Sequence, residues 1–172
     1  MASNMLDEFF PILNEDGDII GKATRKECHS GSMLLHPVVH LHIIKSGGYI
    51  YLQKRSLNKE IQPGKWDTAV GGHVDFGETI EDALLREAKE ELGINDICPK
   101  LLKSYLFQSS IEKELVNVFY ITVDDSFCTN YDPIEIDEVR FWHVTEIENS
   151  IGKGVLTPNF EQEFLKIKHL IK

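Results

Sequence analysis

The chain is short of cysteine, short of basic charge and without a long apolar run. Its 172 residues hold three cysteines, Cys28, Cys98 and Cys128, odd in number and scattered. That speaks against a disulfide framework and fits a reducing cytoplasm. Lys and Arg total 18 against 28 Asp and Glu, a formal net charge of -10. Non-specific binding to nucleic acid or to a membrane surface needs a basic face, so neither partner is expected. An acidic chain suits the gathering of cations instead. The best apolar stretch, Met33 to Ile44, is broken by His36, His40 and His42 and falls short of a membrane span. The N-terminus carries Asp7 and Glu8 with no basic run, so no signal peptide is expected. No repeat, low-complexity tract or linker divides the chain. Its hydrophobic content of 42% is that of a folded body, and its length suits one domain, residues 1–172.

Phe9 to Leu13 reads as a strand, Asn14-Glu15-Asp16-Gly17 as a turn, and Asp18 to Thr24 as a second strand. His36 to Ile44 alternates, with Val39, Leu41 and Ile43 on one face and His36, Val38, His40 and His42 on the other. Tyr49 to Gln53 continues as a strand after Gly47-Gly48. Ser56 to Trp66, with Pro63-Gly64, reads as a loop. A helix starts at Thr79, with Asp82 in the capping-box position, and ends at Gly93. Its apolar stripe is Ile80, Leu84, Ala88 and Leu92. Further strands are expected at Leu101–Gln108, Leu115–Val123 and Val139–Val144, and a final helix at Asn159–Ile171. Strands mixed with two helices give an α/β or α+β domain. Trp66, Phe76, Phe107, Phe119 and Trp142 are expected in the core or lining a pocket.

The first long helix carries the chemistry. From Glu78 to Glu91 there are six acids and two bases. Glu87 and Glu91 share a face, with Glu90 beside them. Like charges at this spacing cost a helix about 0.2–0.5 kcal/mol per pair, and a bound divalent cation reverses the sign. Hard oxygen ligands on one helix suit Mg²⁺ or Mn²⁺. Gly71, Gly72 and Gly77 precede the helix and let backbone approach a ligand closely. The bland alternative is a solvated acidic face.

The same residues carry a resemblance. Gly72, five residues, Glu78, seven residues, then Arg86-Glu87-Ala88-Lys89-Glu90-Glu91-Leu92-Gly93-Ile94 resembles a complete Nudix box over residues 72–94. The resemblance implies a Nudix fold, a mixed sheet between helices, and metal-dependent hydrolysis of a small-molecule diphosphate. It implies Glu87, Glu90 and Glu91 as metal ligands, helped by the Gly71 carbonyl, and an Arg86–Glu78 pair that fixes loop to helix. A general base comes from the box or from an outside carboxylate; the acidic run Glu135, Asp137 and Glu138 offers three. Such proteins often form homodimers, though no interface shows in the sequence.

The flanks, Gln53-Lys54-Arg55-Ser56, Lys59 and Pro63-Gly64-Lys65-Trp66-Asp67, resemble type I isopentenyl diphosphate isomerase, a branch of the same superfamily. By that likeness His29, His36, His73, Glu112 and Glu114 match a second metal site, suited to Mn²⁺, Zn²⁺ or Fe²⁺. Arg55 and Lys59 match the diphosphate-binding bases. Glu112 and Glu114 could equally alternate on an exposed strand face. His40 and His42 receive no role, and His143 and His169 read as surface. There are two departures: the isomerase's catalytic Cys is replaced by Gly71, and the box is intact where the isomerase's is degenerate. Proton transfer to opposite faces of a double bond needs two groups, and losing the Cys removes one. The expectation is therefore a hydrolase on an isomerase-like frame. The alternatives are an isomerase-like protein acting on prenyl diphosphates and a non-catalytic diphosphate sensor.

Overall fold

The computed structural model describes residues 8–171, so the expectation about the N-terminal run through Asp7 lies outside the described residues. Strands β1 (Phe9–Leu13) and β2 (Ile19–Thr24) form an antiparallel hairpin. Its turn is closed by Asn14, whose Oδ1 accepts from the amides of Asp16 at 3.0 Å and Asp18 at 2.9 Å. A single helical turn, α1 (Arg25–Cys28), follows behind a Thr24/Glu27 capping box. The chain then runs β3 (Leu35–Lys45), β4 (Tyr49–Arg55), β5 (Trp66–Thr68), β6 (Val70–His73), α2 (Ile80–Leu92), β7 (Lys100–Gln108) and β8 (Lys113–Val123). It closes with β9 (Ile136–His143), α3 (Val144–Ser150), α4 (Pro158–Ile167) and a short 3-10 turn at Lys168–Leu170.

The main sheet is mixed, in the order β5-β4-β3-β8-β7, with β6 also on β3 and β9 also on β4. Only β3 and β8 run parallel, along the whole of β3. β3 and β4 pair over just Ile43–Lys45 and Tyr49–Tyr51 before they diverge. Beyond that point β5 takes the free edge of β4 and β6 takes the free edge of β3, with Ala69 between them. The wedge so opened is where the charged residues collect.

Both faces of the sheet are covered, which is why β3 is buried along almost its whole length, His36 and His42 included. Val39, Leu41 and Ile43 pack with Val70, Val74 and the α2 residues Ala83, Leu84, Ala88 and Leu92. On the other face Ile44, Ile50, Leu52, Trp66 and Trp142 meet Phe160, Phe164 and Ile167 of α4. The sheet therefore lies between α2 and the α3–α4 pair.

Several expectations are corrected. β5 and β6 were hidden in what reads as loop and glycine, because three- and four-residue strands leave no periodicity. The strand expected to reach Val144 stops at His143, whose ring Nδ1 accepts from the Thr145 amide at 3.3 Å and starts α3. The capping box at Thr79 is half formed: Thr79 Oγ1 accepts from the Asp82 amide at 3.1 Å, with no return bond from the shorter Asp82 side chain. The last α-helix ends at Ile167. Phe76 is exposed rather than core, with Lys22 Nζ 5.3 Å from its ring centre.

Gly93 closes α2 at φ +64°, and a Cβ there would stand 2.5 Å from the Asn130 carbonyl oxygen. The loop it abuts donates from Asn130 N to the Leu92 carbonyl and from Asp132 N to the Glu91 carbonyl. Gly93→Ala is expected to cost about 1–3 kcal/mol, from left-handed strain plus that collision. Urea unfolding checks it; an unchanged midpoint would show that the loop simply yields.

Candidate active site

The loop between β6 and α2 is bound to the helix by one guanidinium. Arg86 Nε lies 2.7 Å from Glu78 Oε1 and Nη2 lies 3.0 Å from Glu78 Oε2, a two-pronged pair. Nη2 also donates to the His73 carbonyl at 3.1 Å, and Nη1 to Glu87 Oε1 at 2.8 Å. Glu78 in turn accepts from the Asp75 amide at 3.0 Å. The hydrogen bonds from Arg86 hold the Glu78 carboxyl below its ordinary value.

Glu87 lies directly beneath Gly72, where any Cβ would overlap its carboxyl group. Burial raises the pKa of Glu87, against the pull of Arg86. Glu91 points into the wedge and accepts from Gln53 Nε2 at 2.7 Å. Burial, reinforced by the charge of Glu87, pushes it up to about 8, although Gln53 and the Gly71 amide favour the charged form. Glu90 stands at the rim, 60% exposed, with Arg86 Nη1 at 3.5 Å. The three acids thus form a graded face: Glu91 buried against Gln53, Glu87 buried beside Arg86, and Glu90 exposed.

A second cluster lies across β6. His36 on β3 is the register partner of Glu114 on β8, and His73 on β6 is that of Val38, two residues along β3. His29 comes from the turn after α1. The ligand atoms of His29, His36, His73 and Glu114 all lie within 4.8 Å of one another. His73 Nε2 is 3.2 Å from His29 Nε2, and 3.7 Å separates Glu114 Oε1 from both His36 Nε2 and His73 Nε2. His29 Nδ1 donates to the Arg25 carbonyl at 2.7 Å and His36 Nδ1 to the Leu34 carbonyl at 2.9 Å. With each Nδ1 tied to a backbone carbonyl, the Nε2 atom is the one each ring leaves for a metal. His36 Nε2 is buried without a hydrogen-bond partner. Burial, with help from nearby cations, holds the His73 pKa well below 6.5. These residues fit a divalent metal with nitrogen and oxygen ligands. Glu112 stands outside the group and pairs with His29 at 3.1 Å. Phe10 of the hairpin stacks on His73 with ring centres 4.4 Å apart; nothing in the spacing of the hairpin announced that cover.

Arg55 and Lys59 line a polar cavity of about 70 Å³, with His40, Gln53, Asp67, Thr68, Gly71, Glu91 and Glu135 as the other walls. Lys59 is paired with Glu135, and Arg55 Nη1 is 3.6 Å from Asp67 Oδ2. Of the acidic run, only Glu135 reaches the cavity; Asp137 accepts from the Leu57 amide, and Glu138 is exposed on β9.

Sequence reasoning missed a third cluster. Glu163 of α4 is fully enclosed and accepts from three side chains: His40 Nδ1 at 2.7 Å, His42 Nε2 at 2.5 Å and Tyr105 Oη at 2.5 Å. His40 and His42, which received no role from the sequence, are packed inside as the links between the central strand and α4. A signal was present, since Glu163 falls on the same face of α4 as Phe160, Phe164 and Ile167.

A NUDIX domain family model matches residues 34–160. The chain belongs to the Nudix family. Nudix hydrolases act on diphosphate bonds and use divalent metals. The uncharacterized Nudix hydrolase all7351 of Nostoc sp. is 39% identical over 152 residues, covering 86% of this chain and 87% of that one. An isopentenyl-diphosphate Delta-isomerase of Cutibacterium acnes is 31% identical over 155 residues, covering 81% and 76%. In fold the chain is similar to DR0079 from Deinococcus radiodurans, with a TM-score of 0.79 at 24% identity over 92% of this chain and 98% of that one. The expected Nudix fold and hydrolase family are thus shown. Among the described residues no helix is long and apolar enough to cross a membrane.

The Glu163 cluster makes stability depend on pH. Its donors hold Glu163 well below 4.5 despite burial, so that contribution is present above about pH 4.5 and fades as pH falls. The Glu163 charge raises His40 from 6.5 to about 9 against desolvation, so its contribution is whole below 6.5 and fades as pH rises through 9. The Tm difference between wild type and Glu163→Gln should be largest between about pH 4.5 and 6.5 and shrink toward pH 9. A difference that stays flat from pH 6 to 10 would remove the charged pair from the account.

Proposed function

We propose that the protein hydrolyses a phosphoanhydride bond in a small polar diphosphate. One observation carries the reading: Glu91, on the helix that also bears Glu87 and Glu90, lines a cavity that also presents Arg55 and Lys59. Glu87 and Glu91, with Glu90 at the rim and the Gly71 carbonyl, are assigned to hold Mg²⁺ or Mn²⁺. A divalent cation at such a site neutralises the diphosphate and lowers the pKa of a bound water. Arg55 and Lys59 exchange their acidic partners for phosphate oxygens and align the diphosphate. Water attacks phosphorus, the new P–O bond forms, the bridging P–O bond breaks, and a carboxylate takes the water's proton. Glu135, the acid of its run that lines the cavity, is our candidate for that proton. Arg86 and Glu78 keep the loop in place against the helix.

His29, His36, His73, Glu112 and Glu114 are assigned to a second divalent metal, Mn²⁺, Zn²⁺ or Fe²⁺; the Glu112 carboxylate lies 3.1 Å from His29 Nε2. The isomerase relative makes prenyl diphosphates the second reading. Against it, Gly71 offers no thiol, and none of the three cysteines lines the cavity. The lining is polar throughout apart from Gly71, which is poor ground for a prenyl chain. We take residues 1–172 as one cytoplasmic domain on the strength of the three free cysteines.

Phosphate and pyrophosphate release should be measured with Mg²⁺ or Mn²⁺ over nucleotide-linked diphosphates, isopentenyl diphosphate and dimethylallyl diphosphate. Hydrolysis of a nucleotide-linked compound is expected. Isomerisation of the prenyl compounds without hydrolysis would overturn the reading. Glu91→Gln should retain the fold and lose about 100-fold or more in turnover; near wild-type turnover would remove Glu91 from the metal site. His36→Ala and His73→Ala should each lower the bound metal found by elemental analysis. An unchanged metal count would remove the histidine cluster.

A further inference from the structure

Of the three cations that line the cavity, two face acids within it: Lys59 pairs with Glu135 and Arg55 faces Asp67. The third differs. The partner of His40 is Glu163, which lies behind the ring, fully enclosed between the sheet and α4. Nδ1 is committed to that carboxylate at 2.7 Å, whereas the ring is 21% exposed on its other side. That other side faces Gly71, the register partner of His40 on β6. A Cβ at Gly71 would stand 3.4 Å from His40 Cδ2 and 3.7 Å from Nε2. The Nε2 edge therefore borders the space over Gly71, between Glu91 and the two bases, with no hydrogen-bond partner among the described residues.

We propose that His40 is a diphosphate-contacting residue of this cavity, presented by Glu163, which acts as its positioning residue. The inference rests on the hydrolase reading and deepens it. The Nδ1–H is donated to the Glu163 carboxylate at 2.7 Å, so the Nε2 edge is the one the ring can turn to a ligand in the cavity. A cation whose counter-charge is sealed behind it need not break a pair within the cavity to meet phosphate, as Lys59 must. His42 and Tyr105, the other two donors, fix the carboxylate so that the ring cannot swing away. This identifies the ligand class as an anionic oxygen ligand seated over Gly71, and it uses the very position where the isomerase-like frame would carry a thiol.

The alternative is that the cluster only fastens α4 to the sheet. His40→Asn separates the two, because the Asn amide can reach Glu163 in place of Nδ1 while the Nε2 edge is lost. The probe is methylenediphosphonate with Mg²⁺, followed by calorimetry, which reads binding without turnover. His40→Asn is expected to remain folded, with a Tm lowered by the loss of the charged pair, and to bind the diphosphonate about tenfold more weakly, the loss of one hydrogen bond to a charged group. In wild type, the ¹⁵N resonance of His40 Nε2 should shift on adding the probe, which a purely structural ring would not show. Glu163→Gln should weaken binding by a smaller factor. Affinity within twofold of wild type in His40→Asn, or an unmoved Nε2 resonance, would overturn the contact. If wild type binds the probe and His40→Asn does not, yet the substrate panel gives no turnover, the contact stands and only the hydrolysis reading falls.

Discussion

The site depends on a strand with almost nothing on either face. β6 passes between the acids of α2 and the imidazoles of β3, and at its centre stand Gly71 and Gly72. Side chains of adjacent strand residues point to opposite faces. Gly72 therefore leaves room for the Glu87 carboxyl on one side, and Gly71 leaves room for the His40 ring on the other. A methyl group at 72 would overlap Glu87, whereas one at 71 would meet the ring in ordinary contact, 3.4 Å from Cδ2. It is Gly72 that lets a carboxylate lie directly against the strand backbone. The Arg86–Glu78 pair then fixes the chain after β6, so that the approach is held rather than sampled.

The protein buries acids in two opposite ways. Glu163 is enclosed but accepts from three donors, so its charge is satisfied and its pKa falls well below the usual range. Its surroundings leave nothing for a metal to supply. Glu87 and Glu91 are desolvated with fewer donors, and their pKa values rise. A buried carboxylate with a raised pKa is a group whose charged form lacks a partner, and a cation is the partner it lacks. The histidine cluster repeats the logic with the sign reversed. Its Nε2 atoms converge with Glu114, His36 Nε2 has no hydrogen-bond partner, and burial holds the His73 pKa well below 6.5. Glu91 lines the wedge between β3 and β4, and His40 of the third cluster meets it there while Glu163 ties α4 to the sheet behind.

Much of this was legible in the sequence. The β3 alternation, the α2 stripe and Gly93 as its left-handed cap all depend on local periodicity or on a single backbone conformation, which sequence encodes directly. The Arg86–Glu78 and histidine groupings came from a family pattern, and the structure places those side chains together. Three kinds of feature were not legible. The short elements β5, β6 and α1 have too few residues for a period. Phe10 reaches His73 through the packing of the hairpin on β3, which no spacing records. The pairing of Glu163 with His40 and His42 spans more than 120 residues. The lone acid on the apolar face of α4 was a visible anomaly, but only the tertiary fold says which groups answer it.

The isomerase relative shows how a shared frame can turn to other chemistry by small changes at one point. Moving a proton on and off carbon needs a thiol or an equivalent acid beside the ligand. At that point this chain has Gly71, and the volume so freed is bordered by a ring that is itself anchored to a buried carboxylate. The change replaces a group that exchanges protons with carbon by one suited to donating a hydrogen bond to an oxygen anion. At the same time the box acids present carboxylates on the opposite side of β6. A cavity with a cationic ring behind, two bases at the side and a carboxylate face in front opposes charge to charge around a diphosphate. It offers no apolar wall against which a hydrocarbon would be desolvated. The electrostatics therefore favour chemistry at phosphorus over chemistry at carbon, and the glycine pair on β6 is what lets both halves of that arrangement approach the same ligand.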